Sequence, residues 1–125
     1  HSNKMAGLIG FKKPLKIYNV WININGFKDS NVSHVHNHCM LSGVYYVKTP
    51  KNCGDLVLNN PSLPLSEYDW NDYSIEGNYN NYTAAKHIMP AYEGMLYIFP
   101  SWLEHYVSPN MSKQKRISIS FNIIR

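Results

Sequence analysis

The chain has 125 residues, 44% of them hydrophobic and 16% charged, with a net charge of +4. That balance suits one domain around one core and excludes a disordered chain. No run of about 18 apolar residues is present, so no membrane-spanning helix is expected, and residues 1–5 lack the apolar stretch of a signal peptide.

Ten tyrosines, with abundant Val, Ile and Phe, favour pleated strands. In chain order the first strand is expected over Ile17 to Asn25, followed by a turn at Gly26 to Asn31 and a short run over Val32 to His36. Leu41 to Thr49 reads as a strand closed by Pro50, and Asp55 to Leu58 as a short one after Gly54. Asn60 to Asn81, rich in Asn, Pro, Ser and Tyr, is expected to be a long loop and a candidate lid. Further strands are predicted over Tyr82 to Met89, Gly94 to Phe99 and Trp102 to Val107. After a turn at Pro109 and Asn110, Arg116 to Ile124 places Ile117, Ile119 and Phe121 on one face and Arg116, Ser118 and Ser120 on the other. Eight or nine short strands without an amphipathic helix or internal repeat predict an all-β sandwich or jelly roll spanning residues 1–125 as a single domain, with its core over about 17–124.

Cys39 and Cys53 are too few for a disulfide framework, so a reduced, cytoplasmic setting is expected. The basic residues are scattered. Their one cluster, Lys113, Lys115 and Arg116, includes a residue better used elsewhere, and nucleic-acid binding is not expected.

Three of the six histidines, His34, His36 and His38, lie within five residues. Residues two apart on a strand share a face, so His34 and His36 can share one metal ion. A third ligand must come from a distant strand. His105, in a β run, is favoured over His87. Three nitrogen ligands with open positions suit iron, zinc or copper alike. Arg116 follows His105 by 11 residues across a turn, so the two can sit on adjacent antiparallel strands. Its guanidinium can grip a carboxylate as a fork, and Ser118, on the same face, can add a third bond.

These residues carry a resemblance to the Fe(II)- and 2-oxoglutarate-dependent oxygenases, and more narrowly to the 2-oxoglutarate oxygenases of marine phages and bacteria. The match runs through Trp21, His34-Val35-His36, Ser42 to Val47, Gly54-Asp55-Leu56, Phe99 to Asn110 and Arg116 to Asn122. The resemblance implies a double-stranded β-helix, a cupin-like jelly roll, with metal at its open mouth. It implies His34 and His105 as iron ligands, and Arg116 with Ser118 on the distal carboxylate of 2-oxoglutarate. Tyr46 matches the tyrosine that the related prolyl hydroxylases aim at the cosubstrate. The activity implied is a dioxygenase that decarboxylates 2-oxoglutarate to succinate while hydroxylating a C–H bond of a protein side chain, such as a prolyl residue, or of a small molecule. If the source is a phage, the host cytoplasm is the expected location.

The superfamily's usual motif is H-x-D or H-x-E, whereas this chain has His36 at the third position. His36 in place of the carboxylate ranks first; Asp29 or Asp55 as a remote acid, or a His36–His38 pair, are the alternatives. Tyr45, Tyr46, Trp102 and Phe121 are candidate pocket walls, and Glu104 is expected to point away from His105. The rival readings are a three-histidine cupin that makes no use of Arg116, and a non-catalytic phage structural or host-interaction domain. The cupin's glutamate after H-x-H is missing from residues 37–43.

Overall fold

The structure is a computed structural model that describes residues 14–62 and 84–125, with Lys4, Gly7, Leu8 and Gly10. Among the described residues eight strands follow one another from Lys16: β1 (Lys16–Asn25), β2 (Asn31–His34), β3 (Leu41–Lys48), β4 (Leu56–Asn59), β5 (Lys86–Met89), β6 (Leu96–Pro100), β7 (His105–Val107) and β8 (Arg116–Ile124). They form two four-stranded antiparallel sheets, ordered β1-β8-β3-β6 and β2-β7-β4-β5. Strands that neighbour in sequence mostly sit in opposite sheets, which is the jelly-roll arrangement of a double-stranded β-helix. The expected all-β fold is present.

The main core lies between the sheets, where Val44, Tyr46, Leu56 and Phe99 are buried and Leu58, Met89, Tyr97 and Val107 pack on them. Each such side chain contributes about 1.5–3 kcal/mol when fully removed from water. A second cluster joins Leu15, Leu41 and Ile123, with Phe121 packed against it. Gly43 faces Phe121 across the β3–β8 pair, and a Cβ there would press into the phenyl ring.

Two long strands of the first sheet share a sequence rhythm, Trp21-Ile-Asn-Ile-Asn25 and Arg116-Ile-Ser-Ile-Ser120. They pair with Asn25 opposite Arg116, Asn23 opposite Ser118 and Trp21 opposite Ser120. Directly opposed residues share a face, so the polar members form one surface and Ile22, Ile24, Ile117 and Ile119 the other. The polar surface is the one turned inward, lining the cleft between the sheets. Ile22 and Ile24 are 64% and 58% exposed.

Several element boundaries move. The strand expected over Val32 to His36 stops at His34, and the one expected from Trp102 begins only at His105, because residues 100–103 form a turn closed by Leu103 N–H donating to Pro100 O. The strand expected from Tyr82 is described from Lys86. Most of the candidate lid, residues 63–83, lies outside the described residues. His105 and Arg116 do not sit on adjacent strands: β7 belongs to the second sheet and β8 to the first, so the two face one another across the sandwich. Among the described residues no helix is long and apolar enough to cross a membrane.

Candidate metal and carboxylate site

Among the described residues a cleft open to solvent is lined by His34, His36 and His105 from one side and by Tyr46, Arg116 and Ser118 from the other. All six site residues expected from the sequence therefore meet in a single space.

His34 ends β2 and lies opposite His105 at the start of β7. His36 reaches them by another route than the expected strand alternation. Its backbone has left the strand, and its N–H donates to Ser101 O at 2.9 Å, which pins it beside the 100–103 turn. That turn is fixed from below: Ser101 Oγ donates to Ser42 Oγ at 2.8 Å, and Ser42 donates onward to Asn122 Oδ1 at 2.7 Å. All three side chains are buried, so their mutual pairing is what makes burial tolerable.

The three imidazole centroids are 4.4–5.1 Å apart. One donor atom from each lies within 4.8 Å of the others. Donors sharing one ion at about 2.1 Å stand roughly 3–3.5 Å apart, so small ring rotations close the triad. His34 Nδ1 donates to Val32 O at 2.7 Å, and His105 Nδ1 to Leu103 O at 2.8 Å. A carbonyl can only accept, so each ring keeps its proton on Nδ1 and presents a basic Nε2. His36 has no such anchor among the described residues; its ring leans on Trp21 at 5.9 Å. Burial, then repulsion from His105 and His34, pushes its pKa down to about 4. Burial also lowers His105, against the pull of the Leu103 carbonyl. The neutral imidazole is the metal-binding form, so burial keeps His36 and His105 in the state that can take a cation.

Arg116 is 1% exposed. Its hydrogen bonds among the described residues all leave from Nη1, to the carbonyl oxygens of Cys53, Gly54 (3.3 Å) and Ser108 (3.4 Å). Among the described residues no carboxylate forms an ion pair with it, and Nε and Nη2 have no partner. A buried cation without a counter-ion is costly, and here desolvation lowers its pKa. Tyr46, 1% exposed, has its pKa pushed up to about 12 by burial, with Arg116 acting against the rise. Its hydroxyl is therefore a proton donor throughout the neutral range. A dicarboxylate with a keto acid end fits this donor set: imidazoles for a cation at one end, and a lone guanidinium with Tyr46 and Ser118 at the other.

Of the other candidates, Tyr46 and Phe121 line the cleft, whereas Trp102 is 64% exposed and Tyr45 is 40% exposed, both outside it. Glu104 points away, accepting from Asn59 Nδ2 at 3.1 Å. Asp29 and Asp55 are not in the cleft: Asp29 accepts from Gly26 N–H and Asp55 from Ala91 N–H. Sequence reasoning did not single out Asn23 and Asn25 as cleft residues, although their alternation with Ile22 and Ile24 was visible. It also missed the carbonyl cradle on Arg116, for which backbone atoms leave no side-chain signal.

A family model described as "Putative 2OG-Fe(II) oxygenase" matches residues 19–122. No curated protein sequence matches the chain. Among solved structures, an oxidoreductase of the 2OG-Fe(II) oxygenase family from Burkholderia pseudomallei superposes with a TM-score of 0.70 at 12% identity, covering 98% of this chain and 51% of that one. The epimerase SnoN, solved with Fe3+, alpha ketoglutarate and nogalamycin RO, gives 0.65 at 12% identity over 98% and 55%. A prolyl-4-hydroxylase from Pseudomonas putida gives 0.53 at 16% identity over 85% and 52%. The chain thus spans about half the length of the solved proteins it matches. At these identities the likeness is one of fold.

Proposed function

The chain belongs to the 2OG-Fe(II) oxygenase family, and from that premise we propose that it is a dioxygenase that binds Fe(II) through His34, His36 and His105 and 2-oxoglutarate through Arg116. The observation that carries the proposal is the pairing, in one cleft, of three converging imidazoles with a buried guanidinium that has no carboxylate partner among the described residues. When bound, iron and 2-oxoglutarate supply the oxidising power drawn from dioxygen. The chain's own residues position and exclude. His34 and His105 are held by Val32 and Leu103 with Nε2 facing the cleft. Arg116 offers Nε and Nη2 as a fork for the distal carboxylate, with Ser118 Oγ and the Tyr46 hydroxyl as neighbouring donors. Val44, Leu56 and Phe99 form a dry floor.

The substrate is a C–H bond of a protein side chain, with a prolyl residue as the first case to test, or of a small molecule. Hydroxylation is the expected outcome. The fold likeness to a prolyl-4-hydroxylase supports that reading, and the likeness to an epimerase supplies the competing outcome. A three-histidine cupin has no need of a buried, unpaired Arg116. Anaerobic addition of Fe(II) and then 2-oxoglutarate should develop the visible charge-transfer band of a ternary complex, and admitting dioxygen should release succinate. Product mass then separates hydroxylation, which adds one oxygen, from epimerisation, which adds none. Iron binding without any response to 2-oxoglutarate would return the chain to the cupin reading; neither response would leave a non-catalytic domain.

A further inference from the structure

Among the described residues Arg116 is gripped by one nitrogen only, and what grips it is backbone. Cys53 and Gly54 lie in the loop between β3 and β4, and Ser108 directly follows β7. These two segments are clasped together. Ser108 N–H donates to Asp55 O at 3.0 Å, Asp55 N–H donates to Ser108 Oγ at 2.8 Å, and Ser108 Oγ donates back to Asp55 O at 3.0 Å. Their carbonyls converge on Nη1 of Arg116.

Gly54 stands at the point of closest approach. Its φ is +81°, in the left-handed region. A Cβ built there would collide with the Ser108 carbonyl oxygen and lie 2.8 Å from the Pro109 carbonyl oxygen. Neither obstacle is a flexible side chain; both are backbone of the other clasped segment. A guanidinium has five N–H groups in a rigid plane, so committing Nη1 to the carbonyls dictates where Nε and Nη2 point.

We propose that Gly54 is a positioning residue for cosubstrate recognition: its missing side chain lets residues 53–54 and Ser108 close into a three-carbonyl cradle, which holds Nη1 of Arg116 and so aims the Nε–Nη2 edge at a ligand carboxylate. This rests on the reading of Arg116 as the carboxylate grip.

The test compares Fe(II)-loaded wild type, Gly54→Ala, Gly54→Asn, Ser108→Ala and Arg116→Ala under anaerobic conditions. Dissociation constants are measured for 2-oxoglutarate and for pyruvate, which keeps the keto acid end but lacks the distal carboxylate, alongside iron content. Gly54→Ala and Gly54→Asn should weaken 2-oxoglutarate about 10- to 100-fold, the loss of about one charge-assisted bond, with iron content and pyruvate affinity retained. The preference for 2-oxoglutarate over pyruvate should then collapse towards that of Arg116→Ala. A general structural defect would weaken both acids together. Asn tolerates the left-handed region whereas Ala does not, so equal losses place the cause in the Cβ contact. A wild-type preference in Gly54→Asn would assign the effect to φ and overturn the proposal. Should the Gly54 variants fail to fold, Ser108→Ala decides, since it loosens the clasp without adding an atom. A reduced preference supports the cradle, and an unchanged one overturns it. An unchanged preference in Arg116→Ala itself would instead remove the carboxylate-grip reading beneath.

Discussion

Replacing Arg116 by lysine keeps the charge and removes the fork. A lysine ammonium has three donors, and three carbonyl oxygens, from Cys53, Gly54 and Ser108, already converge where the arginine ends. The ammonium can satisfy that cradle and then has nothing left for a ligand. Two charge-assisted hydrogen bonds to the distal carboxylate would be lost, each worth about 1.5–3 kcal/mol, while a screened charge–charge attraction of about 1 kcal/mol or more survives. The net loss of about 2–5 kcal/mol corresponds to a roughly 30- to 5,000-fold weaker 2-oxoglutarate complex. Iron binding should be unchanged, because Arg116 comes from the sheet opposite the one carrying His34 and His105. Apo stability should change by only about 1 kcal/mol, since the cradle keeps a donor. The assay is anaerobic titration of the Fe(II)-loaded variant with 2-oxoglutarate, with chemical denaturation of the apo protein beside it. A 2-oxoglutarate affinity within about threefold of wild type, a difference under about 0.7 kcal/mol, would refute the fork argument.

His36→Ala should cut iron affinity by more than the roughly 10- to 100-fold typical of losing a supporting contact, because it removes a ligand outright, while His36→Asp should retain iron by restoring a carboxylate triad; metal content after dialysis against a chelator distinguishes them. The metal-free protein should lose stability as pH falls from about 6.5 towards 4. His36 titrates near 4 when folded and near its ordinary 6.5 when unfolded, so between those values the unfolded chain binds more protons; its contribution is intact above 6.5 and gone below 4. Urea midpoints across that range, in wild type and in His36→Ala, check the sign: the variant's profile should be flatter. Asn110→Ala should destabilise the fold by about 2–4 kcal/mol. The side chain is 0% exposed, bonds the carbonyls of Asn25 and Gln114, and accepts from Ser112 N–H, so its removal strands three backbone groups at the entry to β8.

Much of the architecture was legible in the chain because strands announce themselves by a period of two and turns by Pro, Gly and Asn. The rhythms W-I-N-I-N and R-I-S-I-S mark two strands with one polar and one apolar face each. The histidine cluster pointed to a group that could hold a metal, and the fold brings His34 and His36 together with His105. What the chain could not say was which face looks inward. Alternation is symmetric: it separates Arg116, Ser118 and Ser120 from Ile117 and Ile119 without telling which set meets the opposite sheet. Only the stacking of the second sheet over this one decides it, and the cleft that results is lined by Arg116, Ser118 and Ser120. Proximity along the chain likewise suggested that His105 and Arg116 were strand neighbours, whereas the jelly-roll crossover puts them on facing sheets, which is what leaves room for a ligand between them. His36 joins the triad through a backbone bond to Ser101, far away in sequence. The cradle on Arg116 is made of peptide carbonyls, and these are the same in every residue. Side-chain pattern is written in the sequence; the convergence of backbone atoms arises only when the chain has folded.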